Sequence, residues 1–311
     1  MLDLDYNATT PVKDEVREAM EPYLDGKYGN PSSVHQVGQS PKATVENARE
    51  TIAEKVNAPV ESLVITGSGS EANTMAIRGI VRPPYEDRVL VTSSVEHSSV
   101  LNTAEWLEQQ GAEVRYAPLN EEGQLIPEWF EQNVDKQVDL VSVMRVNNET
   151  GVEFPINKIG EICRSNDVLF HSDWIQALGK IPVSYRETPV DLVSFSAHKI
   201  GGPKGTGALI APKTIELTPL VFGGHQERQR RGGTENVAGL AGFARAVSLI
   251  DSQQFEESKI VRDRFETGLS EALEDVLFIG NDTDRVPNTS GMVIRGIDGE
   301  DVVMKMDLDG I

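Results

Sequence analysis

Short Val/Ile/Leu-rich runs alternate with helical patterns along the first two thirds of the chain. SLVIT (62–66) leads through a glycine/serine turn into the helical SEANTMAIRGI, RVLVTS (88–93) precedes SVLNTAEWLEQQG, and VDLVSVMRV (138–146) leads after a loop to NKIGEICRS. VLFHSD (168–173), VDLVSFSAH (190–198) and GALIA (207–211) follow. Continuous apolar strands separated by helices predict an α/β fold with a parallel or mixed sheet covered on both faces. Ser40-Pro41 reads as an N-cap followed by proline at the first helical position, opening a helix whose Val45, Ala48, Ile52 and Val56 share one face.

From about residue 234 the pattern changes. Two long helical stretches, 234–252 and 256–275, precede the strand-like LFIG and TSGMVIRG, and the amphipathic EDVVMKMDL follows. This divides the chain into a large domain over 1–233, with an N-terminal arm, and a small α+β domain over 234–311 that is entered but not completed.

Composition narrows the partners. A net charge of −20 argues against nucleic acid or an anionic membrane surface. No run approaches the roughly 18 apolar residues of a membrane helix, and the N-terminus lacks a signal-peptide layout. Cys163 is the only cysteine, so neither a disulfide framework nor a cysteine metal cluster is expected. These features together predict a cytoplasmic protein with no bound metal.

Polar residues collect at the predicted strand ends, where open α/β sheets bind ligands. Gly67-Ser68-Gly69-Ser70 opens a helix and is either an ordinary strand–helix turn or a phosphate cup of free amides plus the Ser70 hydroxyl. Asp173 is either a helix cap or a carboxylate that keeps a heterocyclic ring nitrogen protonated. Asn147, Asn148 and Gln176 are turn amides or donors to a ring hydroxyl, and His97 follows Glu96 where a strand gives way to a helix. Lys199, in FSAHKIGGPKG (195–205), is a solvated charge or a desolvated nucleophile. One ligand suits the whole set: pyridoxal 5′-phosphate held as a Schiff base on Lys199.

The ordered segments LDLDYNATTPV, GNPSSVHQVGQ, ITGSGSEANTMAIRG, SVEHSSV, VNNETGV, HSDWIQALGK, SFSAHKIGGPKGTGAL and GGHQERQRRGGTENVAG run nearly end to end. Through them the chain resembles the class V aminotransferase family, specifically the group I cysteine desulfurases. The resemblance implies a fold type I pyridoxal-phosphate fold with a mostly parallel, seven-stranded sheet, normally a homodimer. By the same resemblance, Lys199 binds the cofactor aldehyde and shuttles the substrate α-proton, and His97 stacks over the ring and assists as an acid or base. Asp173 pairs with the ring nitrogen; Asn148 and Gln176 contact the ring hydroxyl. Gly69, Ser70, Ser196 and His198 hold the phosphate, and Thr234 reaches in from the partner subunit. The implied reaction converts L-cysteine to L-alanine and passes sulfur toward iron–sulfur clusters or thiolated tRNA through an acceptor or scaffold protein.

Three positions depart from the family pattern. Ser70 stands where threonine is frequent, which keeps the hydroxyl. Trp174 stands where a small residue is commoner, which alters packing beside Asp173. The family's serine- and glycine-rich loop with its catalytic cysteine, and the arginine that receives the substrate carboxylate, have no counterpart in these 311 residues. Cys163 lies in a helical pattern beside Ile159 and Ile162 and is expected to be a buried structural thiol. The expectation for the chain as written is therefore cofactor binding with little desulfurase turnover. An aminotransferase, a selenocysteine lyase and a non-catalytic cofactor-binding fragment are the alternative readings.

Overall fold

In the computed structural model, which describes residues 2–311, the apolar runs condense into one sheet. Helices α1 (Asp14–Asp25) and α2 (Gln36–Lys55) precede β1 (Leu63–Thr66) and α3 (Gly69–Ile80). Then come β2 (Val89–Ser93), α4 (Ser98–Gln109), β3 (Glu113–Ala117), α5 (Pro127–Asn133), β4 (Leu140–Ser142), α6 (Ile156–Ser165), β5 (Leu169–Asp173), β6 (Leu192–Ser196) and β7 (Gly207–Ile210). The seven strands lie in the order β1-β7-β6-β5-β4-β2-β3. The run from β6 to β3 is parallel, while β7 is antiparallel to both β6 and β1. Two reversals restore direction, so β1 points the same way as β6. Six strands (β1 to β6) therefore point the same way, and the residues after five of them (β1, β2, β4, β5 and β6) meet at one edge of the sheet, where open α/β folds bind ligands.

Central strands are buried along their whole length, which is why they read as unbroken apolar runs. One core face holds Val91, Val141, Phe170, Phe195 and Ile210, and the other holds Val64, Leu90, Leu140, Leu192 and Leu209. His171 lies fully buried between neighbouring strands, 2.9 Å from Ser142 Oγ through Nδ1 and 2.9 Å from Ser194 Oγ through Nε2. Burial pushes its pKa down to about 3, so a neutral imidazole braces the sheet two residues before Asp173. The outer edge of β1 is covered by Glu227, whose Oε2 accepts from the Ile65 amide at 2.9 Å while both carboxylate oxygens pair with buried Arg49. That contact blunts an edge that could otherwise pair with another strand.

Two expectations shift. Helix α2 begins at Gln36 rather than after Ser40, so Pro41 sits inside the helix and not at its first position. Proline leaves the carbonyl four residues back, that of Val37, without its helical donor. This carbonyl lies against Gly29, where a Cβ would stand 2.0 Å from the oxygen, so the bare glycine accommodates it. The second concerns the division of the chain. Helix α7 (Val237–Ser248) falls after residue 234, yet its Leu240, Phe243, Ala246 and Val247 belong to the main core, where it packs on α1 and α2. We place the division of packing after α7. Beyond it lie α8 (Gln253–Ala272), the hairpin-like pair β8 (Val276–Phe278) and β9 (Met292–Ile294), and α9 (Gly299–Leu308). Leu277 and Val293 on the small sheet, and Ile260 and Val261 on α8, are exposed.

Candidate active site

The five strand ends open into a cleft of about 590 Å³. Its lining includes Gly69, Ser70, His97, Asn148, Asp173, Gln176, Ser196, His198 and Lys199, which is every site residue implied by the resemblance except Thr234, whereas Asn147 lies outside it. Thr234 is exposed outside this lining.

The start of α3 sits at one end. Ser68 caps the helix by accepting from the Glu71 amide at 3.0 Å, and Glu71 in turn accepts from the Gly67 amide at 2.7 Å. Arg231 holds Glu71 through its Nε at 2.8 Å. Among the described residues the Gly69 and Ser70 amides have no partner, as expected of the first turn of a helix. A Cβ on Gly69 would stand 2.2 Å from Ile175 Cδ1 and 3.2 Å from Ser196 Cβ, so the Ile175 side chain would have to move to admit it. The Ser196 hydroxyl is buried, lines the cleft and has no hydrogen-bond partner in the chain. His198 bonds Thr9 Oγ1 through Nδ1 at 3.1 Å, and burial with the neighbouring Lys199 and Lys204 pushes its pKa down to about 4.

Asp173 ends β5 and is buried. Its Oδ1 accepts from the Ile175 amide at 2.8 Å and its Oδ2 from Asn73 Nδ2 at 2.6 Å. Desolvation pushes its pKa up, against those two donors and the nearby positive groups, and among the described residues it has no ion-pair partner. A buried carboxylate in this state gains most from a cation placed against it. Trp174 next to it is fully buried, edge-on to Phe195 with centroids 6.0 Å apart, and lies under the Arg145 guanidinium at 5.0 Å. The larger residue is thus absorbed on the core side.

Lys199 is half-buried, in the turn that follows β6. Its ammonium donates to the backbone carbonyls of Asn7 and of Ala8, the latter at 2.8 Å. Desolvation lowers its pKa, although Asp5 and Asp173 pull the other way, so it reaches the nucleophilic amine at a lower pH than a free lysine. His97 caps α4, its Nδ1 accepting from the Ser99 amide at 3.1 Å. An accepting Nδ1 on a neutral ring leaves the proton on Nε2, which makes that nitrogen a donor.

Several residues of the site carried no sequence signal. The arm residues Leu4 to Ala8 line the cleft, and Asn73 holds Asp173. Glu96 is buried behind His97, where it accepts from Ser93 Oγ at 2.6 Å and from the Met144 amide; burial lifts its pKa to about 8. Lys180 donates to Gln176 Oε1 and, at 3.0 Å, to Asn7 Oδ1. The contacts of Asn73 with Asp173 and of Lys180 with Asn7 join residues 100 and 173 positions apart, which periodicity does not reveal. Asn147, by contrast, is a turn residue, its Oδ1 accepting from the Glu149 and Thr150 amides at 3.0 and 2.9 Å.

Cys163 does not line the cleft. It is buried in α6, where desolvation and the Asp191 charge push its thiol up to about 12. Cys163→Ala is expected to leave cofactor affinity within about twofold, and the native thiol should resist alkylation. Rapid alkylation accompanied by loss of binding would place the thiol in the chemistry after all.

A glycine/serine helix start, a buried carboxylate without an ion pair and a lysine of lowered pKa thus meet in one cleft. Residues 3–311 match the aminotransferase class-V family, and the chain belongs to it. It is 39% identical over 312 residues to "Cysteine desulfurase IscS" of Dictyoglomus turgidum, covering 99% of this chain and 79% of that protein. It is 38% identical to the protein of the same name from Methanosarcina thermophila, with 99% and 77% covered. Among solved structures, a "NifS-like protein" superposes with a TM-score of 0.94 at 33% identity, covering 99% of this chain and 86% of the other. "SspA in complex with cysteine" superposes at 0.88 and 31% identity, with 99% and 87% covered.

Enzymes of this family use pyridoxal 5′-phosphate, and the residues present fit it. The orphaned Ser196 hydroxyl and the free Gly69 and Ser70 amides are donors suited to a phosphate. The buried Asp173 lacks the cation that a protonated ring nitrogen would supply.

Proposed function

We propose that the cleft binds pyridoxal 5′-phosphate at Lys199 and takes L-cysteine as its substrate, in the manner of a cysteine desulfurase. The observation that carries this reading is that Lys199, the unpaired Asp173 and the open start of α3 face one cleft. The bound cofactor supplies an electron sink for negative charge at the substrate α-carbon. In our assignment Lys199 would hold the cofactor through Nζ and would carry the substrate's α-proton. Asp173 keeps the ring nitrogen protonated, and Asn148 and Gln176 address the ring hydroxyl. The Gly69 and Ser70 amides, the Ser70 and Ser196 hydroxyls and neutral His198 hold the phosphate. His97 offers its Nε2 proton at the mouth. Sulfur must pass to a thiol other than Cys163, and an iron–sulfur scaffold or another sulfur-acceptor protein is the partner class we assign.

Borohydride trapping tests the site. The cofactor bound to the 311-residue chain should become fixed to the peptide carrying Lys199, and attachment to a different lysine would sink the assignment. Incubation with L-cysteine then separates the activities. Alanine formation with sulfur transfer to an added thiol supports the desulfurase, whereas amino-group exchange with a keto acid supports an aminotransferase.

We further propose a homodimer that places Thr234 at the partner's cleft. Phe222 is 83% exposed, an unusual position for a large apolar side chain. It is carried on the same paired segment as Thr234: the Gly232 amide donates to the Val221 carbonyl at 2.8 Å, and Gly223 packs directly on Gly232. Phe222→Asp is expected to give a monomer by light scattering and to weaken cofactor binding by about tenfold, as for a buried aromatic anchor. An unchanged dimer would remove this segment from the interface.

A further inference from the structure

Only 8% of the Lys180 surface is accessible, and among the described residues it has no carboxylate partner. Buried lysines without a counter-ion are rare, and this one spends its donors on two side-chain amides. Its ammonium donates to Gln176 Oε1 and to Asn7 Oδ1. An ammonium has no acceptor, so it selects the oxygen end of each amide. Gln176 is thereby turned so that its Nε2 donates to the Asn7 carbonyl at 3.0 Å. Asn7 is turned so that its Nδ2 donates to the Asn148 carbonyl at 3.2 Å and to Thr289 Oγ1 at 2.9 Å. The Asn7 carbonyl also receives Lys199. A second cavity of about 410 Å³ is lined by both Lys180 and Lys199.

We propose that Lys180 is a positioning residue for the cofactor site, setting the amide orientation of Gln176 and Asn7 and through them the donors presented to the ring. This rests on the assignment of the cleft to pyridoxal 5′-phosphate. The arrangement has a cost in stability. Burial and the neighbouring Lys199 charge push Lys180 down to about 7. A folded-state pKa below the unfolded one means the buried ammonium destabilises the fold at low pH, most fully below about 7, with relief as pH rises toward the unfolded lysine's ~10.4. A residue that merely braced the fold would have the opposite sign.

The test is a double-mutant cycle on the full chain, read by the dissociation constant for pyridoxal 5′-phosphate and by thermal unfolding of the apoprotein. Coupled neighbours show interaction energies that correspond to roughly 2- to 150-fold in binding. Lys180→Met is expected to raise the dissociation constant about tenfold, but by less than about twofold in a Gln176→Ala background. Lys180→Arg, which also only donates, should recover part of the loss. The Lys180→Met apoprotein should melt at or above the wild-type temperature at pH 6, the gain fading toward pH 10. Equal losses in both backgrounds, or a lowered melting temperature at pH 6, would overturn the inference while leaving the site assignment intact. Failure of the wild-type chain to bind the cofactor at Lys199 would overturn both. Should Lys180→Met fail to fold, Lys180→Gln, whose amide can flip, runs the same cycle.

Discussion

Lys199→Ala is expected to abolish covalent retention of pyridoxal 5′-phosphate and to lower turnover of L-cysteine by at least the 10²- to 10⁴-fold typical of a lost proton-transfer group. Two functions should disappear together, because in our assignment the same Nζ would hold the cofactor and move the α-proton. Lys199→Arg should fail as completely, since a guanidinium does not deprotonate in a protein and cannot attack a carbonyl. Cofactor capture by the wild-type chain should accelerate as pH rises through the lowered pKa of Lys199, where the reactive neutral amine accumulates. Stopped-flow absorbance against pH, with borohydride trapping of each variant, checks all three. A Lys199→Ala protein that still traps cofactor covalently would move the site to another lysine.

Asp173→Asn carries the next largest effect. An opposite charge beside a titrating nitrogen moves its pKa by roughly 1–3 units, about 1.4–4 kcal/mol, so neutralising Asp173 should cost about 10- to 10³-fold in turnover. The apoprotein should respond in the other direction. The buried carboxylate has its pKa raised, so its ionised form destabilises the fold at neutral pH, and that penalty vanishes as pH falls and the group protonates. Asparagine removes the penalty. Its new amide can be satisfied if Asn73 turns over, because Asn73 Oδ1 is buried without a partner and would then face it. The expected signature is a higher melting temperature without cofactor and slower chemistry with it. A variant that loses both would show that Asp173 acts mainly as a structural anchor of the β5 end.

Strands buried on both faces were the legible part of this fold, because burial on both sides writes an apolar residue at every position. The strand β3 shows the converse. Glu113–Ala117 lies at the sheet edge with Glu113 exposed and the next three residues half-buried, so its sequence, EVRYA, has no continuous apolar run and escapes a reading by hydrophobicity. The VDLVSVMRV run overstates its strand for a related reason. Only Leu140–Ser142 pairs as β4, while Val143, Met144 and Val146 are buried in the turn that enters the cleft. At the site, Gly69, Ser70, Asp173 and Lys199 could be read because strand ends concentrate ligand chemistry. Asn7 and Asn73 could not, because their contacts with Lys180 and Asp173 span 173 and 100 residues of sequence, and Lys180, although four residues from Gln176, carries no sign of its burial in the sequence.

The grip of Asn7 and Ala8 on the Lys199 ammonium has an energetic consequence for the first residues of the chain. Their carbonyls lose a donor whenever that nitrogen bonds elsewhere, and the same arm is tied to Thr289 and, through the Leu2 amide, to the Gly310 carbonyl at 2.9 Å. Ligand affinity at the lysine and order in the arm are then two faces of one linked equilibrium: whatever loosens the arm changes the affinity, and occupancy of the lysine changes the arm by the same free energy.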